Sequence, residues 1–369
     1  MNDLFETLPF RPADILLPQN CDLGLWSVVA CDQYTSQPEY WQRVEERVGR
    51  APSSLRLILP ESCLDGPSVE TDIMEINNTM SRYLRDGRFV EHPSALFYVE
   101  RTLDNGKVRR GLMGMVDLEQ YDYEPGSSAP IRATEGTVLS RIPPRVRVRQ
   151  DAPVELPHVM LLIDDPDRTV IEPLTAASGE MEQLYDFDLQ QGGGHLKGWK
   201  LTDAQMDAVA DALAAMCTPE AMEKKYGLKD AAPLLFAVGD GNHSLATAKQ
   251  CYENLKKVTP EDQWADLPAR YALVEVVNNH DDALQFEPIH RVLFGVEPEQ
   301  VLEAMKAAYP GAHEGEGEGH TIAYTYAGHT GTITVPNPRM QLAVGTLQTF
   351  LDAYLKEHGG EVDYIHGDD

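Results

Sequence analysis

One junction in the chain restricts its architecture more than any other stretch. Leu234-Leu235-Phe236-Ala237-Val238 is a continuous apolar run, and Gly239-Asp240-Gly241-Asn242 breaks it. A helical pattern begins near His243, with Leu245, Ala248, Tyr252 and Leu255 on one face. A run that is apolar at every position reads as a central strand covered on both faces. A covered strand that turns directly into a helix is the basic unit of α/β packing.

The rest of the chain repeats these elements. Ile15-Leu16-Leu17 and Trp26–Ala30 read as short strands, and Pro38 suits the first turn of a helix over Glu39–Val48. Ile73, Ile76, Met80, Tyr83 and Leu84 recur at helical spacing, with Gly87 placed as a C-cap. The runs starting at Ala95 and Gly111 flank Asp104-Asn105-Gly106, which predicts a hairpin. Pro143-Pro144 precedes the alternating Arg145–Arg149, which reads as an extended segment with three arginines on one face; Arg141 lies nearby. Strands follow at 159–163 and 271–277, and Gln190–Gly194 reads as a connector or hairpin tip. A helix capped by Thr202 runs toward Met216. Past Gly295 the character changes: helix over 297–309, an acidic glycine-rich loop from His313 to His320, a hairpin over 322–335, and a helix over 346–356. No strand or helix is expected to close the chain at its HGDD end. The division is therefore 1–295, a main domain carrying the glycine turn, and 296–369, a smaller α/β unit.

Composition narrows the partners. With 31 Lys+Arg against 59 Asp+Glu in 369 residues, the net charge is −28. Such a surface repels phosphate backbones, so nucleic acid is not the expected partner. No run of about 18 apolar residues exists to span a membrane, and the N-terminus lacks the pattern of a signal peptide. Cys21, Cys31, Cys63, Cys217 and Cys251 are widely spaced with no CxxC pair, as expected of reduced cytoplasmic thiols.

The glycine turn carries the chemistry. A strand feeding a glycine turn and a helix N-terminus leaves backbone N–H groups pointing outward, where the helix dipole adds about half a positive charge. Gly239 and Gly241 permit positive φ and close approach of a ligand, Asp240 sits at the strand end, and His243 and Ser244 fall in the first helical turn, with Lys249 further along. The competing reading is a plain turn in which Asp240 or Asn242 caps the helix. Walker and GxGxxG spacings are absent. Asp32, directly after an early apolar run, is a candidate general base, and Thr134-Glu135 could contribute likewise. The acids and histidines of 313–320 read as a solvated loop rather than a metal site, so no metal ligand is assigned.

The stretch GDGNHSLATAK resembles the DGHHR-type signature of a bacterial and archaeal family known only as a domain of unknown function, DUF1015. RPADILLP near the start, WSVVACDQYTSQPEYW and FEPIHRVLF at 286–294 are similar to that family as well. The motif alone also resembles that of the ParB and sulfiredoxin superfamily, whose members bind nucleotides at this loop and include free-amino-acid kinases. The resemblance implies that Gly239, Asp240, Gly241, Asn242 and His243 contact phosphate. Ser244 stands where the signature usually has arginine, which removes a bidentate phosphate donor. His290 and Arg291 are candidates to restore that charge. Chains of the family usually run on past the equivalent of residues 363–367, which implies an incomplete last domain.

These readings predict an α/β (α+β) fold with a mixed sheet, flanking helices and a smaller C-terminal α/β unit. The expected activity is that of a nucleotide- or phosphate-binding, kinase-like phosphotransferase acting on a small polar metabolite. Mg2+ and a nucleotide (ATP, ADP or CTP) are its expected cofactors. Asp240 or Asp32 would deprotonate the acceptor; His243, His290 and Arg291 would balance charge. The alternatives are a non-catalytic ligand-binding protein and a phosphate-ester hydrolase.

Overall fold

The computed structural model describes residues 2–35, 37–64, 66–135, 142–156, 158–284 and 289–366. The chain divides into two units, residues 1–284 and 285–369. No helix among the described residues is long and apolar enough to cross a membrane.

The first unit is built on a ten-stranded mixed sheet. Its strands run in the spatial order Tyr121–Asp122, Ile131–Arg132, Phe236–Asp240, Met160–Ile163, Tyr271–Asn278, Val108–Asp117, Phe97–Thr102, His195–Lys200 and Glu182–Asp188, with Phe10–Arg11 paired to Val108–Asp117. Phe236–Asp240 runs parallel to Ile131–Arg132 but antiparallel to Met160–Ile163, which is itself parallel to Tyr271–Asn278. The mixed α/β class read from the sequence is thus the one observed. The two faces of the sheet differ. Alternation sends Leu112, Val116, Leu161, Ile163, Phe236, Val238, Val274 and Val276 to one face, under Leu245 and Tyr252 of the helix Asn242–Lys256 and Val209 and Leu213 of the helix Asp203–Met216. Phe236 and Val238 are fully buried there, and each such side chain stabilises the fold by about 1.5–3 kcal/mol. The other face carries Phe97, Met113, Met115 and Leu273, packed with Ala13 and Ile15. By the same alternation it also carries Arg101, Arg109 and Glu275.

The second unit has its own core, including Val301, Met305, Ile333, Val335, Phe350, Leu351 and Tyr354. These come from the helices Pro298–Ala308 and Ala343–His358 and from a hairpin of His320–Tyr326 with His329–Val335.

Several sequence expectations need correction. The arginine-rich segment is not extended: Ile142–Arg149 is a helix that packs on the helix Asn242–Lys256. Pro143 and Pro144 fall in its first turn, where a missing N–H costs nothing and φ is already helical. Each arginine meets an acid: Arg145 donates to Glu61, Arg147 to Glu70 and Arg149 to Glu155. Arg141 lies outside the described residues. Trp26–Ala30 is not a strand either. Trp26 ends the short helix Leu23–Trp26, and the Ser53 and Ser54 hydroxyls donate to its carbonyl, leaving 27–30 irregular. Finally, a strand does stand near the chain's end, where Glu361–His366 pairs antiparallel with Ile289–Phe294.

Candidate functional site

The site is built around Gly241. The strand Phe236–Asp240 ends on two exposed residues, Gly239 and Asp240, and the helix starts one residue further on at Asn242. Gly241 takes φ +82°, the left-handed region that a Cβ disfavours by about 1–2 kcal/mol. A Cβ there would also stand 3.1 Å from the His158 carbonyl oxygen and 3.1 Å from the Val159 Cα. The turn is thus pressed against the backbone at the start of the neighbouring strand. Gly239 does not need positive φ, contrary to the sequence reading. It is glycine because a Cβ would come within 2.7 Å of the Leu162 Cγ.

The plain capping explanation does not describe this turn. No side chain caps the helix. Asp240 instead accepts from the Gly241 N–H at 2.8 Å, one position ahead of the helix. Asn242 is buried, 6 % exposed, and turns the other way: its Oδ1 accepts from the Thr134 N–H and its Nδ2 donates to the Thr134 hydroxyl, both at 3.2 Å. Thr134 in turn donates to the Val238 carbonyl at 2.6 Å. Asn242 is therefore a fastener rather than a surface ligand group. It brings Glu135 to the turn, where its carboxylate stands 3.9 Å from His243 Nδ1.

Close contact at Gly241 also places a residue that the sequence reading missed. His158, two residues ahead of the strand Met160–Ile163, meets Ser244 through a hydrogen bond between Nε2 and the Ser244 hydroxyl. Asp32 lies within electrostatic reach of both His158 and Asp240. Its loop is held by bonds to backbone: the Glu61 N–H donates to the Cys31 carbonyl at 2.8 Å, and Gln190 donates to the Ser27 carbonyl at 3.0 Å. Burial raises the Asp32 carboxyl above the usual range. Asp240 and Glu61 push it the same way, and His158 opposes them. Its Oδ1 is buried without a hydrogen-bond partner. Next to it, burial and the neighbouring acids push the Cys31 thiol up to about 12. Beside the Ser244–His158 pair lies a small cavity of about 30 Å3, lined also by Leu156, Val159, Leu245 and Leu273.

The charged residues on the sheet's second face were also missed. Arg101 and Arg109 sit directly opposite each other on paired strands. Arg109 donates to Glu275 at 3.0 Å, and its Nε is buried without a partner. Arg101 donates to the Gly193 carbonyl at 2.9 Å. Burial, then the neighbouring Arg109, lowers its guanidinium pKa. The signal was present in the sequence: a glutamate in the middle of YALVEVV and arginines ahead of an apolar strand are rare in covered strands.

The remaining candidates fall as follows. Asp32, Asp240, Gly241, His243 and Ser244 come together with Glu135 and His158. Lys249 points elsewhere: its amine donates to the Leu118 carbonyl at 2.8 Å and pairs with Glu253 at 3.2 Å. His290 and Arg291 lie on the strand Ile289–Phe294 of the second unit. Arg291 donates to Gln348 and lies over the Tyr364 ring. Among the described residues no group of three or more His, Cys, Asp or Glu side chains stands ready for a metal.

Three comparisons with known proteins bear on this arrangement. A family model described as "Protein of unknown function (DUF1015)" matches residues 8–354, and the chain belongs to that family. Neither the curated proteins nor the solved structures contain a match to the chain.

Proposed function

We propose that this DUF1015 member binds a phosphorylated small molecule, with a nucleotide as the first candidate, at the turn before Asn242 and transfers its phosphoryl group to a small polar acceptor. The observation that carries this reading is the helix N-terminus opened by Gly241 at φ +82°, with no side chain capping it. Such an end directs amide donors and a positive dipole at an anion. The groups around it suit proton transfer. Asp32 is held above the ordinary carboxylate range, as a proton acceptor at neutral pH should be. His243, beside Glu135, and His158, bonded to Ser244, both stand at this helix start, where a histidine cation favours the extra charge of a pentacoordinate phosphorus.

Magnesium fits this donor set as a companion of the nucleotide rather than as a resident ion. The cation takes one or two carboxylates and completes its shell with water and phosphate oxygens. Asp240, exposed at the end of its strand, offers one such carboxylate. Bound there, the ion would neutralise phosphate charge. The ParB and sulfiredoxin likeness supports the nucleotide only through the motif itself.

Isothermal titration of the full chain with ATP, ADP and CTP, each with magnesium, tests the reading. Saturable heat from at least one is expected. Silence from all three at millimolar nucleotide removes it. A second reading, phosphate-ester hydrolysis, draws on the water-sized cavity beside Ser244 and His158. Phosphate release without any acceptor separates it from transfer.

A further inference from the structure

Some helix hydroxyls of this protein bond back to their own backbone, whereas Thr346 pairs with His320 Nδ1 and Thr175 with the Tyr98 hydroxyl. Thr247 donates to the His243 carbonyl at 2.7 Å and Thr349 to the Gly345 carbonyl at 2.8 Å, four residues back in each case. Ser244 does not. It stands third in its helix, three positions past the N-cap Gly241, and its hydroxyl is turned across to His158. Three further observations converge on the pair. Asp32 lies within electrostatic reach of His158, on the charge-stabilising side. Both residues are only part-buried, so a ligand can reach them. The cavity of about 30 Å3 has room for water beside them.

We propose that Ser244 is a nucleophile, that His158 is its base, and that the phosphoryl group passes through a phosphoserine at position 244. The proposal rests on the phosphoryl-transfer reading above and deepens it. In the first half, Ser244 Oγ attacks the terminal phosphorus, the hydroxyl proton moves to His158 Nε2, the Oγ–P bond forms and the P–O bond to the departing nucleotide breaks. In the second half, the acceptor hydroxyl attacks phosphorus and gives its proton to Asp32. The P–Oγ bond breaks, and His158 returns its proton to Ser244. A dianionic phosphate on the third residue of a helix is favoured by the same dipole that binds the substrate. On this view the serine in place of the signature's arginine is a change of mechanism.

Two measurements on the full chain test it separately from the reading it rests on. The first uses diisopropyl fluorophosphate, which carries no nucleotide: Oγ attacks phosphorus and fluoride leaves. Labelling of the peptide holding Ser244 is expected, abolished in Ser244→Ala and slowed at least tenfold in His158→Gln. The second incubates the chain with radiolabelled ATP, ADP or CTP and magnesium. An acid-stable label on Ser244 is expected, with loss of label but retained nucleotide heat in Ser244→Ala. If nucleotide binds and product forms while Ser244 stays unlabelled by both reagents, the nucleophile is overturned and phosphoryl transfer stands. An acid-labile label on Asp32, Asp240 or a histidine also overturns it. If the fluorophosphate marks Ser244 and no nucleotide binds, the activated serine survives and the phosphoryl-transfer reading falls. Circular dichroism of Ser244→Ala and of Ser244→Cys, which keeps a hydrogen-bonding side chain, guards against reading a folding defect as lost chemistry.

Discussion

Two helices of the first unit leave the main sheet in nearly the same way and start differently. After the strand His195–Lys200, the helix Asp203–Met216 opens with a full capping box: Thr202 accepts from the Gln205 N–H, and the Gln205 side chain accepts from the Thr202 N–H at 2.8 Å. After Phe236–Asp240, the helix Asn242–Lys256 opens on a left-handed glycine with no side-chain cap. The first start is closed by its own residues. The second uses its polar side chains on neighbours: Asn242 on Thr134, Ser244 on His158, Asp240 on the Gly241 amide. Orphan amides at a helix end must be met by side chain, water or ligand. Where the chain carries the residues to cap and directs them elsewhere, a ligand is the economical explanation.

The contrast can be broken by substitution, beginning with the largest expected effect. Gly241→Val forces a branched side chain to φ +82° and into the His158 carbonyl and Val159. A loss of about 2 kcal/mol or more in urea unfolding is expected, together with loss of nucleotide heat. A variant as stable as the parent would mean the turn is under no constraint. Thr202→Ala removes the other start's cap and should cost about 1 kcal/mol, with nucleotide affinity unchanged. If affinity falls as well, the two starts are not independent.

Asp32→Asn sharpens the comparison by sign. The Asp32 pKa is raised in the folded state, so the fold binds this proton more tightly than the unfolded chain does. Its stabilising effect is complete below the unfolded value near 3.8 and disappears as pH rises through the higher folded value. The neutral amide of Asp32→Asn should therefore raise the melting temperature at pH 7, raise it little at pH 4, and abolish transfer. A melting temperature lowered at pH 7 would show the carboxylate to be a structural partner instead. Lys249→Ala is the smallest: about 0.5 kcal/mol for the lost pair with Glu253, and no change in nucleotide heat.

What could be read ahead of the structure follows from what is local. The run 234–238 and its glycines fix a strand–turn–helix because periodicity and turn chemistry act within a few residues. For the same reason the helices Pro38–Val48, Val69–Arg85 and Asp203–Met216 and the hairpin at Asp104–Gly106 stand where expected. Arg145–Arg149 misled because alternation is also compatible with a helix when prolines fill its first turn and acids come from elsewhere: Glu61 is 84 residues away and Glu70 is 77. The site itself was half legible. Asp240, Gly241, His243 and Ser244 are neighbours in sequence, whereas His158 reaches Ser244 across 86 residues through strand pairing that no local pattern encodes. Asp32 was named for its place after an apolar run that proved irregular, so the right residue came from a wrong element.

Cys31, whose carbonyl accepts from Glu61, adds an experimental handle. Burial and the neighbouring acids hold its thiol protonated at neutral pH, so alkylating reagents meet little thiolate while the loop is seated. Cys63, exposed on the surface, has no such shelter. The difference turns an unreactive sulfur into a stopwatch. The rate at which Cys31 is marked, with Cys63 as the running reference, times how often the segment bearing Asp32 lifts away, and a nucleotide that seats the segment would slow the clock.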